Sequence, residues 1–422
     1  MKPTKDDVTA FRLRAHHLDR RTDRNGLPAA AGRCGIQDSP PGSAGTALHA
    51  RVRDLTREGL DDAIARDKSL LRSWCMRGAP FCVPTADAPV FTTGVLPPDE
   101  AALRRFLPGA GPAVDRLGLG LTEAADLTAA EIEDVLAGRR LAISELGAEV
   151  AARIAPRLPK KRRAIWQEEG PYAAGQPLGE AVVHFCVRVL TLRGVLCFAS
   201  RDGAATPFIL VGEWLGEPFP DIGPERARAE LLRRYLRCYG PSTRADFAAW
   251  LGVRAGDTGP WWGAVEDEMA PVGFGGRTAW MLAEDLDALG SVPDPTGVRL
   301  LPPGDPYTHM RDRATIVDPA YHRAVWKTVG SPGTVLVDGR ITGVWRARTS
   351  GRSGAGGTSG ARDTNDPGGT SGPGRTRGRK VTIRVTAFGP MRERDRKALR
   401  AEAEGVAALR GASSVAVEFD TQ

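Results

Sequence analysis

The chain is poor in the features that most readily declare chemistry. Its 422 residues hold six cysteines, Cys34, Cys75, Cys82, Cys186, Cys197 and Cys238, with no CxxC pair and no companion HxxxH, so a zinc site of closely spaced ligands is not expected and reduced, buried thiols are. No apolar run approaches the ~20 residues of a membrane helix. The start, MKPTKDDVTAFRLRAHH, lacks the apolar block and small-residue cleavage site of a secretion signal, which points to the cytoplasm. There is no Walker loop, Rossmann glycine turn, GxSxG elbow or HExxH helix. Nucleotide-driven, redox and serine-hydrolase chemistry therefore lose their usual supports, and no cofactor, nucleotide or metal is expected.

What is present is ordinary globular material with an uneven charge. The apolar fraction is 41%, the charged fraction 26% and the formal net charge +7. Residues 346–380 carry eight basic side chains against two acidic ones, so the remainder is close to neutral and any nucleic-acid surface there must arise from local clustering. The same stretch is Gly-, Ser- and Thr-rich and is expected to be a disordered basic insert, 347–379, because it cannot bury apolar surface.

The clearest compact unit runs from PERARAELLRRYLRCYG through PVGFGGRTAWML. Leu231, Leu232, Tyr235 and Leu236 recur at helical spacing, Gly240–Pro241 stop that helix, and Phe247, Trp250 and Leu251 continue a second. A third helix around Trp261 and a glycine-turned hairpin complete a winged-helix order, with Arg244 and Arg254 flanking its second helix. Two weaker copies precede it, each ending in helix, basic residue, glycine and strand, at Arg77–Gly78 and at Arg193–Gly194. Further on, TVLVDGRITGVWRAR reads as two strands joined at Asp338–Gly339, KVTIRVTAFGP as a third, ERDRKALRAEAEGVAALRG as an amphipathic helix and SVAVEFD as a last strand.

Three short motifs remain. FLPGAGPAVDRLGL is similar to the phosphate-binding turn of helix-hairpin-helix proteins, but Asp115 stands where that turn packs a small alanine, so a plain inter-helix turn is expected. His16 and His17, amid Arg12, Arg14, Arg20 and Arg21, are candidates for a DNA backbone contact. RCGIQDSPPGSA sets a Gln–Asp pair between Gly35 and two prolines, poor material for helix or strand, and either a connector or a polar tip aimed at a substrate.

In that order, GIQDSPPGSAGTALHARV, LLRSWCMRGAPFCVP, LLRRYLRCYGPSTRADFAAWLG, LLPPGDPYTHMRDRATIVDP and TVLVDGRITGVWR resemble the AlkZ-type (YcaQ-like) winged-helix DNA glycosylases. The resemblance implies a mainly α fold with β: tandem winged-helix units at 1–98, 99–222 and 223–290, then a β-barrel-like C-terminal domain at 291–422. It also implies duplex DNA as partner and excision of alkylated or crosslinked bases, by a chain expected to be monomeric. The family's signature is Gln, an aliphatic residue, Gln. Here the triplet is either Gly35–Ile36–Gln37 or Gln37–Asp38–Ser39, and one glutamine survives in both registers. Gln37 and Asp38 are the candidate catalytic pair, a glutamine to hold a water and a carboxylate to stabilise oxocarbenium-like charge. The alternative for Asp38 is to cap the next helix. His16, His17, Arg51, Arg77, Arg193, Arg244 and Arg254 are the candidate DNA contacts. A non-catalytic DNA-binding regulator on the same scaffold is the second reading of the whole chain.

Overall fold

The computed structural model describes residues 2–201, 206–291, 295–350 and 379–421. The expected insert at 347–379 falls almost wholly outside them. About half the described chain is helical, with several sheets, and it divides into two compact units that each draw on separated segments. No helix among the described residues is long and apolar enough to cross a membrane.

The first unit comprises Met1–Asp67, Arg234–Thr243 and Glu268–Gln422. Its opening helix, Lys5–Ala15, starts on a capping box: the Thr4 hydroxyl accepts from the Asp7 N–H at 3.1 Å while the Asp7 carboxylate accepts from the Thr4 N–H at 2.8 Å. Val8 and Phe11 of that helix pack with Val272, Met281 and Leu289, so its apolar face is covered by the hairpin Met269–Phe274/Arg277–Leu282. The C-terminal strands form one five-stranded sheet in the order Ser414–Thr421, Lys380–Ala387, Arg340–Ser350, Gly333–Val337, Val298–Leu301. All neighbours are antiparallel except the first pair, which is parallel across the helix Glu393–Leu409. Asp338 and Gly339 have φ of 45° and 77°, the two positive values a two-residue hairpin of type I′ demands. Among the described residues the sheet is open, not the barrel-like domain expected. Leu399, Ala403 and Val406 of the helix pack with Leu300, Val335, Trp345 and Ile383 of the strands, so apolar burial is completed without closing the sheet on itself.

The second unit comprises Lys68–Arg233 and Arg244–Asp267. Its helix Leu178–Leu192 is almost entirely buried, with Val182, Val183, Cys186, Val187 and Leu190 inside, and packs against Leu121–Leu136 and Ile143–Ile154. The two weaker sequence copies meet in one antiparallel sheet, ordered Pro80–Pro84, Leu70–Trp74, Leu196–Phe198, Phe208–Leu210. In FLPGAGPAVDRLGL the turn is Pro108–Ala110, between the helices Glu100–Phe106 and Gly111–Leu117, and Asp115 of the second helix pairs with Arg104 of the first. Phe247, Trp250, Trp261 and Trp262 form an aromatic cluster, and the Trp261 indole donates to the Gly94 carbonyl at 2.6 Å. All six cysteines are buried.

Candidate functional site

The Gln–Asp stretch lies in the first unit between two short helices. Leu27–Gly32 ends where the Gly35 N–H bonds back to the Ala31 carbonyl at 3.1 Å, and Gly35, at φ 72°, turns the chain into the short strand Ile36–Gln37. Ile36 is buried and anchors the strand, which leaves Gln37 half-buried beside it. Asp38 begins the approach to the helix Ser43–His49: its Oδ1 accepts from the Gly42 N–H at 2.8 Å and the Ala44 N–H at 3.2 Å. The carboxylate thus caps the helix that follows it.

A second loop of the same unit meets this one. Gly304 has φ 71°, and a Cβ placed there would lie 3.1 Å from the Ser39 carbonyl, 3.4 Å from Gln37 Nε2 and 3.7 Å from His309 Nε2. Gln37 and His309 therefore converge on one point, which only a glycine leaves open. His309 Nε2 donates to the Gly304 carbonyl at 2.9 Å, and Gln37 Nε2 to the Ser39 carbonyl at 3.4 Å. In the same loop Asp305, fully buried, takes a two-pronged bond from Arg51 at 2.8 Å on each arm and a further one from the Tyr307 N–H at 2.9 Å. Neither Gly304, Asp305 nor His309 is singled out by sequence reasoning, although LLPPGDPYTH is among the blocks that carry the family resemblance; Arg51 and Asp305 are 254 residues apart.

The candidate DNA contacts divide. Arg51 and His16 are each 1% exposed, so neither offers a donor to a phosphate, which corrects the expectation for both. Arg51 is occupied by Asp305 and the Ala47 carbonyl; His16 sits among Cys34, Tyr239 and Tyr307. His17 is half-buried with φ 54° and accepts from Arg33 Nε at 3.1 Å; burial, with Arg33 and Arg51 nearby, brings its pKa down to about 4. In the second unit, Arg77 stands at the tip of its hairpin, bonded to the Trp250 carbonyl and set over the Phe81 ring. Arg193 pairs with Asp126 at 2.6 Å. Arg244 and Arg254 are exposed, and Arg244 Nε donates to the Thr258 hydroxyl at 2.6 Å. The helix Lys160–Gln167 adds a basic run that sequence reasoning missed, with Lys160 and Lys161 exposed.

A family model described as DNA glycosylase AlkZ-like matches residues 31–409. The interstrand DNA cross-link repair glycosylase of Streptomyces sahachiroi is 27% identical over 353 residues, which span 82% of this chain and 88% of that protein. The solved structure of Streptomyces sahachiroi DNA glycosylase AlkZ has a TM-score of 0.69 at 24% identity, over 100% of both chains, a likeness of fold. The match over residues 31–409 takes in the Gln37 loop and the Gly304–His309 loop together, and the chain belongs to the AlkZ-like DNA glycosylase family.

Proposed function

We propose that the protein is a monofunctional DNA glycosylase that releases alkylated or crosslinked bases from duplex DNA, with Gln37 as the group that holds the attacking water. The observation that carries this reading is the convergence of the Gln37 amide and the His309 imidazole on Gly304. A carboxamide donates and accepts at once, so it can orient a water toward the anomeric carbon while bonding the sugar or the base edge. A cationic alkylpurine leaves as a neutral base, which reduces the chemistry to water delivery and stabilisation of positive charge on the sugar. Asp38 supplies fixed negative charge from a loop that its own bonds to Gly42 and Ala44 hold in place. His309 acts through Gly304, as a positioning residue for the loop that faces Gln37. The helix–helix–helix–hairpin order of residues 224–282 and the basic side chains Arg244, Arg254, Lys160 and Lys161 fit a tandem winged-helix protein that grips the duplex backbone.

The test is base release from an N-alkylated or crosslinked duplex at saturating protein. Gln37→Ala is expected to slow single-turnover release by about 10²-fold or more while DNA affinity stays within a few-fold. No release by the wild-type chain from any of these substrates overturns the enzyme reading and favours a regulator. Equal release by wild type and variant overturns the assignment of Gln37.

A further inference from the structure

The sequence offers no closely spaced metal ligands, yet the first unit brings three together from separate segments. His16 follows the helix Lys5–Ala15, Cys34 follows Leu27–Gly32, and Cys238 lies in the last turn of Pro224–Tyr239. Their ligand atoms all lie within 4.8 Å of one another, and all three residues are buried. We infer that His16, Cys34 and Cys238 form a binding site for a soft divalent metal ion, with Zn2+ the best match to one imidazole and two thiolates.

The distances also suit a bound ion. Tetrahedral zinc, with bonds of ~2.3 Å to sulfur and ~2.0 Å to nitrogen, sets those atoms ~3.6 Å apart; Cys34 Sγ and His16 Nδ1 are 3.8 Å apart. The sulfurs also make hydrogen bonds: Cys238 Sγ donates to the Arg33 carbonyl at 3.5 Å, and the Tyr239 hydroxyl lies 3.7 Å from Cys34 Sγ while donating to the Pro306 carbonyl at 2.8 Å. Among the described residues, His16 Nε2 and the Tyr307 hydroxyl have no hydrogen-bond partner, and the two rings meet edge-on with centroids 5.6 Å apart. Two thiolates and a divalent ion sum to zero charge, as a buried site requires.

The experiment uses the full chain without a polyhistidine tag, grown with added zinc. Elemental analysis is expected to find about one zinc per chain. The metal-free chain titrated with Co2+ is expected to gain a thiolate-to-cobalt charge-transfer band that saturates at one equivalent. Cys34→Ala and Cys238→Ala should each lose the zinc and weaken the band, with circular dichroism reporting whether they fold. The wild-type cobalt spectrum decides the matter even where a variant does not fold. A wild-type chain with no such band, full zinc retention in both folded variants, or an intact mass two hydrogens light from a Cys34–Cys238 disulfide would each overturn the inference.

Discussion

Replacing Arg51 separates two readings of one residue, a DNA contact from sequence and a buried ion-pair partner from structure. The side chains of Arg51 and Asp305 are 1% and 0% exposed, joined by two bonds of 2.8 Å, and Arg51 also donates to the Ala47 carbonyl at 2.8 Å. Arg51→Met leaves the Asp305 carboxylate buried with only the Tyr307 N–H among those bonds, and removing one partner of a buried pair costs about 3–5 kcal/mol. For a unit of this size each kcal/mol moves the midpoint by ~2–4 °C, so the transition of the first unit is expected to fall by ~10 °C. The pair Arg51→Met/Asp305→Leu should recover most of that loss, since an apolar pair removes the stranded charge along with the bridge. Thermal and urea unfolding followed by near-UV circular dichroism gives the stability, and DNA affinity is measured over a salt series below the midpoint. If Arg51→Met unfolds within ~1 kcal/mol of wild type and lowers the log–log salt slope by about one, the buried-pair reasoning fails and Arg51 is a phosphate contact after all.

Two further perturbations probe the same unit. The His17 pKa, ordinarily ~6.5, is about 4 in the fold, so the neutral ring is favoured there: its contribution is present above pH ~6.5 and is lost as pH falls toward 4. Solvent screening of this half-buried ring reduces the effect to on the order of 1 kcal/mol. His17→Asn, which tolerates the positive φ, should therefore narrow the stability difference between pH 7.5 and 4.5 in urea titrations; an unchanged difference, with His49 and His184 shifted the same way in both proteins, refutes the assignment. Gly304→Ala should cost about 1–3 kcal/mol and slow base release, because φ 71° strains an alanine and its Cβ would press on the Ser39 carbonyl at 3.1 Å, whereas Gly256→Ala, with no atom of the described residues within 4 Å, should change neither. A Gly304→Ala chain as active as wild type would detach that loop from the site.

Sequence by itself determined the local elements, because their signals are local. Asp338–Gly339 dictates its hairpin through two positive φ values, the apolar spacing of ERDRKALRAEAEGVAALRG dictates a helix with one buried face, and Gly240–Pro241 stop the helix Pro224–Tyr239. The family too was legible, in blocks that the match over residues 31–409 encloses. Tertiary structure alone decided which polar residues are available for chemistry. An arginine near a glutamine-bearing loop reads as a DNA contact until its partner, 254 residues away, takes it out of solvent. His16 and His17 are neighbours in sequence, yet one is 1% exposed beside two cysteines and the other half-buried against Arg33. Burial and pairing depend on what the rest of the chain brings to a position, and no spacing within a segment encodes that; the glycine at 304 likewise acquires its meaning only when Gln37 and His309 arrive on either side of it.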